Sequence, residues 1–403
     1  MKKTLITGAK LVHNGKITAG RSMLIGGGKI IAADYRGDLP EDTEIYDAKG
    51  AYLLPSFIEI HAHGGGNCDF IDNTKEAFDT IMQTHLSHGV TTLCPTLVAC
   101  DWEKAIAFLR LCDEYGKHSP MFGGVHMEGP FLSPAMCGAQ NLSCIVPPTI
   151  DKIAELDEFV PLLARITAAP EIEGAAMLAR HMAARGVKMS VGHSNADAPT
   201  MAKAAEWGFS EVTHLFCSTS RRAKFGSYVI GGIEECALID DRFTVELIGD
   251  GHHISRESFL LTKKCKGIDG VVLVSDAMRA AGYNGSDNVS EAANDILADS
   301  YLGEKKPENR VIIESGVAKL PDRTSFAGSI AVGDTMVQAL VGRYGLPLPT
   351  ISHMMSAVPA KLLGLAKRGK LSRGYKADLT LLDKSYRTTA VFMGGEKVYE
   401  ANV

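Results

Sequence analysis

The sequence predicts an α/β protein: a (β/α)8 barrel of the TIM-like kind, with a small sheet domain made by the two chain ends. Three observations lead there. Short apolar runs recur through the middle of the chain, each followed by a polar motif and then a helical pattern. Eight such runs can be counted. The first and last stretches instead read as short strands punctuated by glycine. At 403 residues the chain also exceeds the size at which one hydrophobic core stops growing, so a large domain beside a smaller one is expected.

The N-terminal strands are expected at residues 4–6, 10–12, 22–25 and 29–31, with Gly8, Gly15, Gly20 and Gly26 to Gly28 supplying turns. Barrel strands begin near Phe57, Val90, Phe122, Arg165, Val187, Glu211, Thr244 and Val271. Between them, stretches such as 101–115 and 174–185 place apolar residues at helical spacing. After the eighth strand, residues 283–323 are rich in Gly, Asp, Asn, Glu and Lys, and read as an insertion or lid at the barrel mouth. Strands return at 378–382, 389–392 and 397–399 around Gly394-Gly395.

Composition narrows the function classes. Hydrophobic residues make up 45% and charged residues 22%, as in a soluble globular protein. A net charge of −5 with no long run of one sign argues against a nucleic-acid surface. No window approaches the roughly 18 apolar residues of a membrane span, and the N-terminus lacks a signal-peptide pattern. Nine scattered cysteines without a CxxC pair fit reduced thiols in the cytoplasm. The expected partner is a small molecule, with neither nucleic acid nor membrane.

The polar motifs at the strand ends carry the chemistry. The first strand ends in His61-Ala62-His63-Gly64-Gly65-Gly66, and residues two apart on a strand project to one side. The third ends in His126-Met127-Glu128-Gly129-Pro130, the fifth in Gly192-His193-Ser194 and the sixth in Thr213-His214-Leu215. Each motif alone is weak. A barrel, however, makes all those ends neighbours on its C-terminal face. Imidazole and carboxylate suit zinc or another borderline divalent ion, and three protein ligands leave a position for water. Asp276, in Ser275-Asp276-Ala277 after the eighth strand, is placed to move a proton from water to a leaving amine.

The motifs PSFIEIHAHGGG (55–66), HMEGPFLSP (126–134), VGHSNA (191–196), THLF (213–216), GDGHH (249–253), VSDA (274–277) and AGS (327–329) follow one another in a specific order. Through them the sequence resembles, over nearly its full length, the N-acetylglucosamine-6-phosphate deacetylase family of the amidohydrolase superfamily. The resemblance implies a β-sandwich domain from residues 1–55 and 366–403 beside a barrel domain of residues 56–365. It implies metal ligation by Glu128, His193 and His214, with Asp276 as the acid/base residue. His61 and His63 would hold a second ion where one is bound. Zinc is the expected metal, with iron or another divalent ion as the alternative, and a homodimer is implied. The expected reaction is hydrolysis of the acetamide of an N-acetyl amino sugar, N-acetylglucosamine-6-phosphate foremost, to acetate and the amino sugar.

The substrate pocket departs from the family pattern. Gln140 stands where the family has histidine, and Cys217-Ser218-Thr219 where it has Asn-Ala-Met. Phe225 falls on the arginine that the resemblance assigns to the substrate phosphate. Arg221, Arg222 and Lys224 lie just upstream as substitutes, and His253 matches the family's sugar-phosphate histidine. Two alternatives follow: an amidohydrolase for a different acylated amine, with or without a phosphate, or a non-catalytic binding homologue. A cyclic-amide hydrolase with a carboxylated lysine on the fourth strand is disfavoured, since residues 165–169 contain no lysine.

Overall fold

The computed structural model describes residues 3–282 and 297–401. Eight parallel strands follow one another round a barrel in sequence order: Phe57–Ala62, Val90–Leu97, Val125–Glu128, Leu163–Ala168, Lys188–Val191, Phe209–Val212, Thr244–Ile248 and Val271–Val274. Just past the last strand, Ala277 pairs in parallel with Ala62 and joins the two ends of the sheet. The helices between the strands bury one apolar stripe each. Helix Trp102–Gly116 buries Ala105, Ile106, Phe108, Leu109 and Cys112, the spacing seen in the sequence. Helix Ala198–Trp207 starts where the Asp197 side chain accepts the Thr200 N–H, satisfying a donor that the first turn leaves free.

By packing, the chain divides into two compact units: Met1–Glu59, Met82–Thr92 and Val332–Val403 in one, Ile60–Ile81 and Leu93–Ala331 in the other. The first unit contains a mixed eight-stranded sheet built from both chain ends. Its seam is strand Tyr52–Pro55 paired antiparallel with Leu379–Leu382, with Leu53 opposite Leu381. Ile6, Met23, Leu53, Leu379 and Phe392 pack its core. The expected strands at 4–6 and 10–12 are one strand, Lys3–His13. Gly8 makes no turn there. It sits at φ 67° where the register shifts between Ile6 and Ala9, a bulge that only a residue without Cβ adopts cheaply.

Of the stretch expected as an insertion, residues 283–296 lie outside the described residues. The remainder forms a small antiparallel sheet, Leu297–Tyr301, Arg310–Glu314 and Val317–Lys319. Val311, Ile313 and Ala318 from this sheet bury themselves against Val98, Met278 and Ala327. Among the described residues, no helix is long and apolar enough to cross a membrane.

Candidate active site and metal centre

Every convergent side chain comes from the C-terminal end of a barrel strand. His61 lies in the first strand with His63 just beyond it, and Glu128 closes the third. His193, His214 and Asp276 each stand two residues past the fifth, sixth and eighth strands. At those three the backbone turns left-handed, with φ 46°, 29° and 50°. Such a conformation costs a non-glycine residue about 1–3 kcal/mol and collects at functional sites. The glycines after His63 permit a tight approach: a Cβ on Gly64 would lie 2.3 Å from the Cys68 carbonyl oxygen.

Glu128 is the hub. Its Oε1 lies 2.7 Å from His214 Nε2 and 3.1 Å from His193 Nε2, and those nitrogens are 3.2 Å apart. On the other side, His63 Nε2 is 3.3 Å from Glu128 Oε2 and His61 Nε2 is 3.5 Å from Oε1. Asp276 Oδ1 faces the same two rings, 3.2 Å from His63 Nε2 and 3.4 Å from His61 Nε2. All six residues are buried.

The outer ring nitrogens decide what the inner ones offer. Nδ1 of His193, His214 and His63 faces the carbonyls of Met136, Cys217 and Thr96 at 3.0, 3.1 and 3.2 Å. A carbonyl only accepts, so these Nδ1 atoms carry protons and donate. The Nε2 lone pairs are thereby turned toward carboxylate oxygens, an arrangement of acceptors that requires positive charge between them. The residues thus fit a divalent cation, in two groups that share Glu128: His61 with His63, and His193 with His214. The local field agrees. Burial opposes protonation of His63, yet Asp276 and Glu128 outweigh it and raise its pKa to about 9. Burial likewise opposes ionisation of Asp276, but His61 and His63 hold its pKa below the ordinary carboxylate range. Asp276 is therefore ionised near neutrality.

Two supporting layers were missed by sequence reasoning. Glu246 Oε2 lies 3.2 Å from His61 Nδ1 and accepts the His214 backbone N–H at 3.2 Å. Its other oxygen binds the Arg165 guanidinium, which also reaches Glu211 at 2.9 Å. All three are buried, on the seventh, fourth and sixth strands. The available signal was a lone ionisable residue inside an apolar strand, as Glu246 is in Thr244–Ile248. His126 is the second: it bonds Thr167 Oγ1 at 2.8 Å, and its ring packs edge-on against His61. Burial, then the charge of Arg165, keeps it neutral.

A cavity of about 530 Å³ opens on this cluster, and Gln140, Cys217, Ser218 and His253 are among the residues that line it. Gln140 accepts the Ala99 N–H at 2.7 Å and donates to Glu128 Oε2 at 2.6 Å, so it also steadies the hub. Burial pushes the Cys217 thiol up, leaving it protonated and unreactive. His253 Nδ1 lies 2.8 Å from Asp250 Oδ2. Arg221 and Arg222, expected at the substrate, are not on the wall of this cavity. Arg221 is 73% exposed and pairs with Glu234 at 3.0 Å, while Arg222 and Lys224 are exposed beside it. They precede or enter a short hairpin, Ala223–Phe225 with Tyr228–Ile230, whose described side chains are mostly exposed. The Phe225 side chain lies outside what is described. Among the described residues, the Lys and Arg side chains on the cavity wall are Lys319 and Arg323.

Comparison with known proteins gives the family and agrees with the fold. The chain is 29% identical to an N-acetylglucosamine-6-phosphate deacetylase of Lysinibacillus sphaericus, covering 84% of this chain and 83% of that one. It is 28% identical to an N-acetylgalactosamine-6-phosphate deacetylase of Shewanella sp. (strain ANA-3), covering 98% and 95%. Among solved structures, an N-acetylglucosamine-6-phosphate deacetylase from Pasteurella multocida superposes with a TM-score of 0.88 at 25% identity, over 99% of this chain and all of that one. The pattern of the amidohydrolase family matches residues 52–399, and the chain belongs to that family.

Proposed function

We propose that this chain hydrolyses the acetamide of a phosphorylated N-acetyl amino sugar, N-acetylglucosamine-6-phosphate foremost, releasing acetate and the free amine. The observation that carries the reading is Asp276 Oδ1 set beside His61 and His63, on the wall of the cavity that Glu128 also lines. Glu128, His193 and His214 would hold the first divalent ion, and His61 and His63 a second that shares Glu128. Zinc suits this nitrogen–oxygen set best. When bound, the ion supplies Lewis acidity toward the amide carbonyl and lowers the pKa of water. Asp276 Oδ1 takes the proton of the attacking water and delivers it to the amine nitrogen as the C–N bond breaks. Glu246, acting through His61, is a positioning residue.

Relatives named for both the gluco and the galacto sugar support the reaction and leave the epimer to measurement. The free thiols of all nine cysteines support a reducing compartment, the cytoplasm. The family resemblance supports a homodimer. The test is amine release by the zinc-loaded protein from both N-acetyl sugar 6-phosphates and from the unphosphorylated sugars. Release from none of them would sink the reading.

A further inference from the structure

Lys319 and Arg323 line the same cavity as Asp276, and the reaction above uses neither. Lys319 ends the third strand of the small antiparallel sheet. Arg323, at φ 61°, sits in the turn that follows, where Asp322 Oδ1 accepts the Thr324 N–H at 3.0 Å and its hydroxyl at 2.7 Å. Lys319 then pairs with Phe326, closing the turn, and the chain runs on to Ser329. The Ser329 N–H donates to the Asp276 carbonyl at 2.8 Å, and the Ser329 carbonyl accepts the Met278 N–H at 2.8 Å. The basic turn is thus tied by a short stretch of backbone to the proton-transfer residue.

Glu314 lies 3.2 Å from both Lys319 Nζ and the Arg323 guanidinium. One carboxylate between two cations leaves a net positive charge and holds both side chains in place. Thr324 and Ser325 line the cavity beside them, and Phe326 packs its ring 4.7 Å from His253. Cationic and hydroxyl groups therefore cluster on one segment of the wall, while among the described residues the carboxylates that line it, Glu128 and Asp276, belong to the metal centre.

We propose that Lys319 and Arg323 form an anion subsite that holds the phosphate monoester of the substrate. This rests on the acetamide-hydrolase reading for its substrate, and it supplies the charge that residue 225 lacks. A phosphate dianion accepts charge-assisted hydrogen bonds from both side chains, Arg323 donating through the guanidinium N–H groups that its Nε and Nη2 contacts with Glu314 leave free.

The test compares the native zinc-loaded protein with Lys319→Met, Arg323→Gln and Arg222→Ala. The readout is the ratio of kcat/KM for the 6-phosphate sugar over the unphosphorylated sugar. Each of the first two changes is expected to lower that ratio about tenfold or more. Arg222→Ala is expected to leave it alone. A ratio unmoved by the first two, or one that collapses in Arg222→Ala, overturns the proposal. A second measurement needs no turnover: the Tm shift given by glucosamine-6-phosphate against that given by glucosamine. The native protein is expected to gain more from the phosphorylated amine, and Lys319→Met and Arg323→Gln to lose that excess. An inactive protein that keeps this difference rejects the acetamide reading and retains the anion subsite. No difference in the native protein rejects the subsite.

Discussion

Glu128 is faced by four imidazole nitrogens, and Asp276 by two of the same four. Their removal should therefore have different consequences. Glu128→Ala is expected to be purified without tightly bound metal and with hydrolysis almost abolished, as elemental analysis and amine release will show. His61→Ala and His63→Ala should be milder; losses equal to that of Glu128→Ala would mean that two ions are obligatory. Asp276→Asn is expected to keep its metal and lose turnover by roughly 10²–10⁴-fold, the usual contribution of a general acid–base group. Near-normal turnover would hand the proton transfer to another residue. These positions were legible because each breaks an apolar run with a ligand-type side chain at a strand end. Arg221 and Arg222 lie off the cavity wall, because nearness in sequence says nothing about which way a hairpin faces. Lys319 and Arg323 became visible only once strand pairing carried them to the cavity.

The barrel strands were legible as apolar runs, and four begin where expected, at Phe57, Val90, Thr244 and Val271. The third starts at Val125 rather than Phe122, which makes a single bridge to Leu93 before Gly123-Gly124 interrupts the ladder. What periodicity could not show is that the fourth, sixth and seventh strands place Arg165, Glu211 and Glu246 at one level. Arg165→Met would leave two carboxylates buried without their cation. Breaking a buried pair in this way costs about 3–5 kcal/mol, so thermal denaturation should show a large fall in Tm. Glu246→Gln tests the positioning role instead. It removes the charged acceptor behind His61 and should weaken metal affinity about 10–100-fold, more than it lowers Tm. Unchanged metal affinity would reduce the network to a structural role.

Because the residues that could hold an ion come from the first, third, fifth and sixth strands, a bound ion would tie distant parts of the barrel together, and stability should follow metal occupancy. An ion that binds only the folded state adds about 2.7 kcal/mol when its concentration is a hundred times its Kd. Chelation should therefore lower Tm in the native protein and in Asp276→Asn, but hardly at all in Glu128→Ala. The effect should also depend on pH. In the metal-free fold the His63 pKa is raised from 6.5 to about 9, by Asp276 and Glu128 against the opposing effect of burial. A raised pKa stabilises the metal-free fold fully below pH 6.5, where His63 is protonated in both states. That contribution is lost as pH rises through 9. A metal-loaded fold has a cation in place of the proton and does not share the loss. The Tm difference between zinc-loaded and chelated protein should therefore widen between pH 6.5 and pH 9. His63→Ala should flatten that trend while keeping the metal of the His193–His214 side. A difference that stays constant across this range in the native protein would mean that protons and metal do not compete at this cluster.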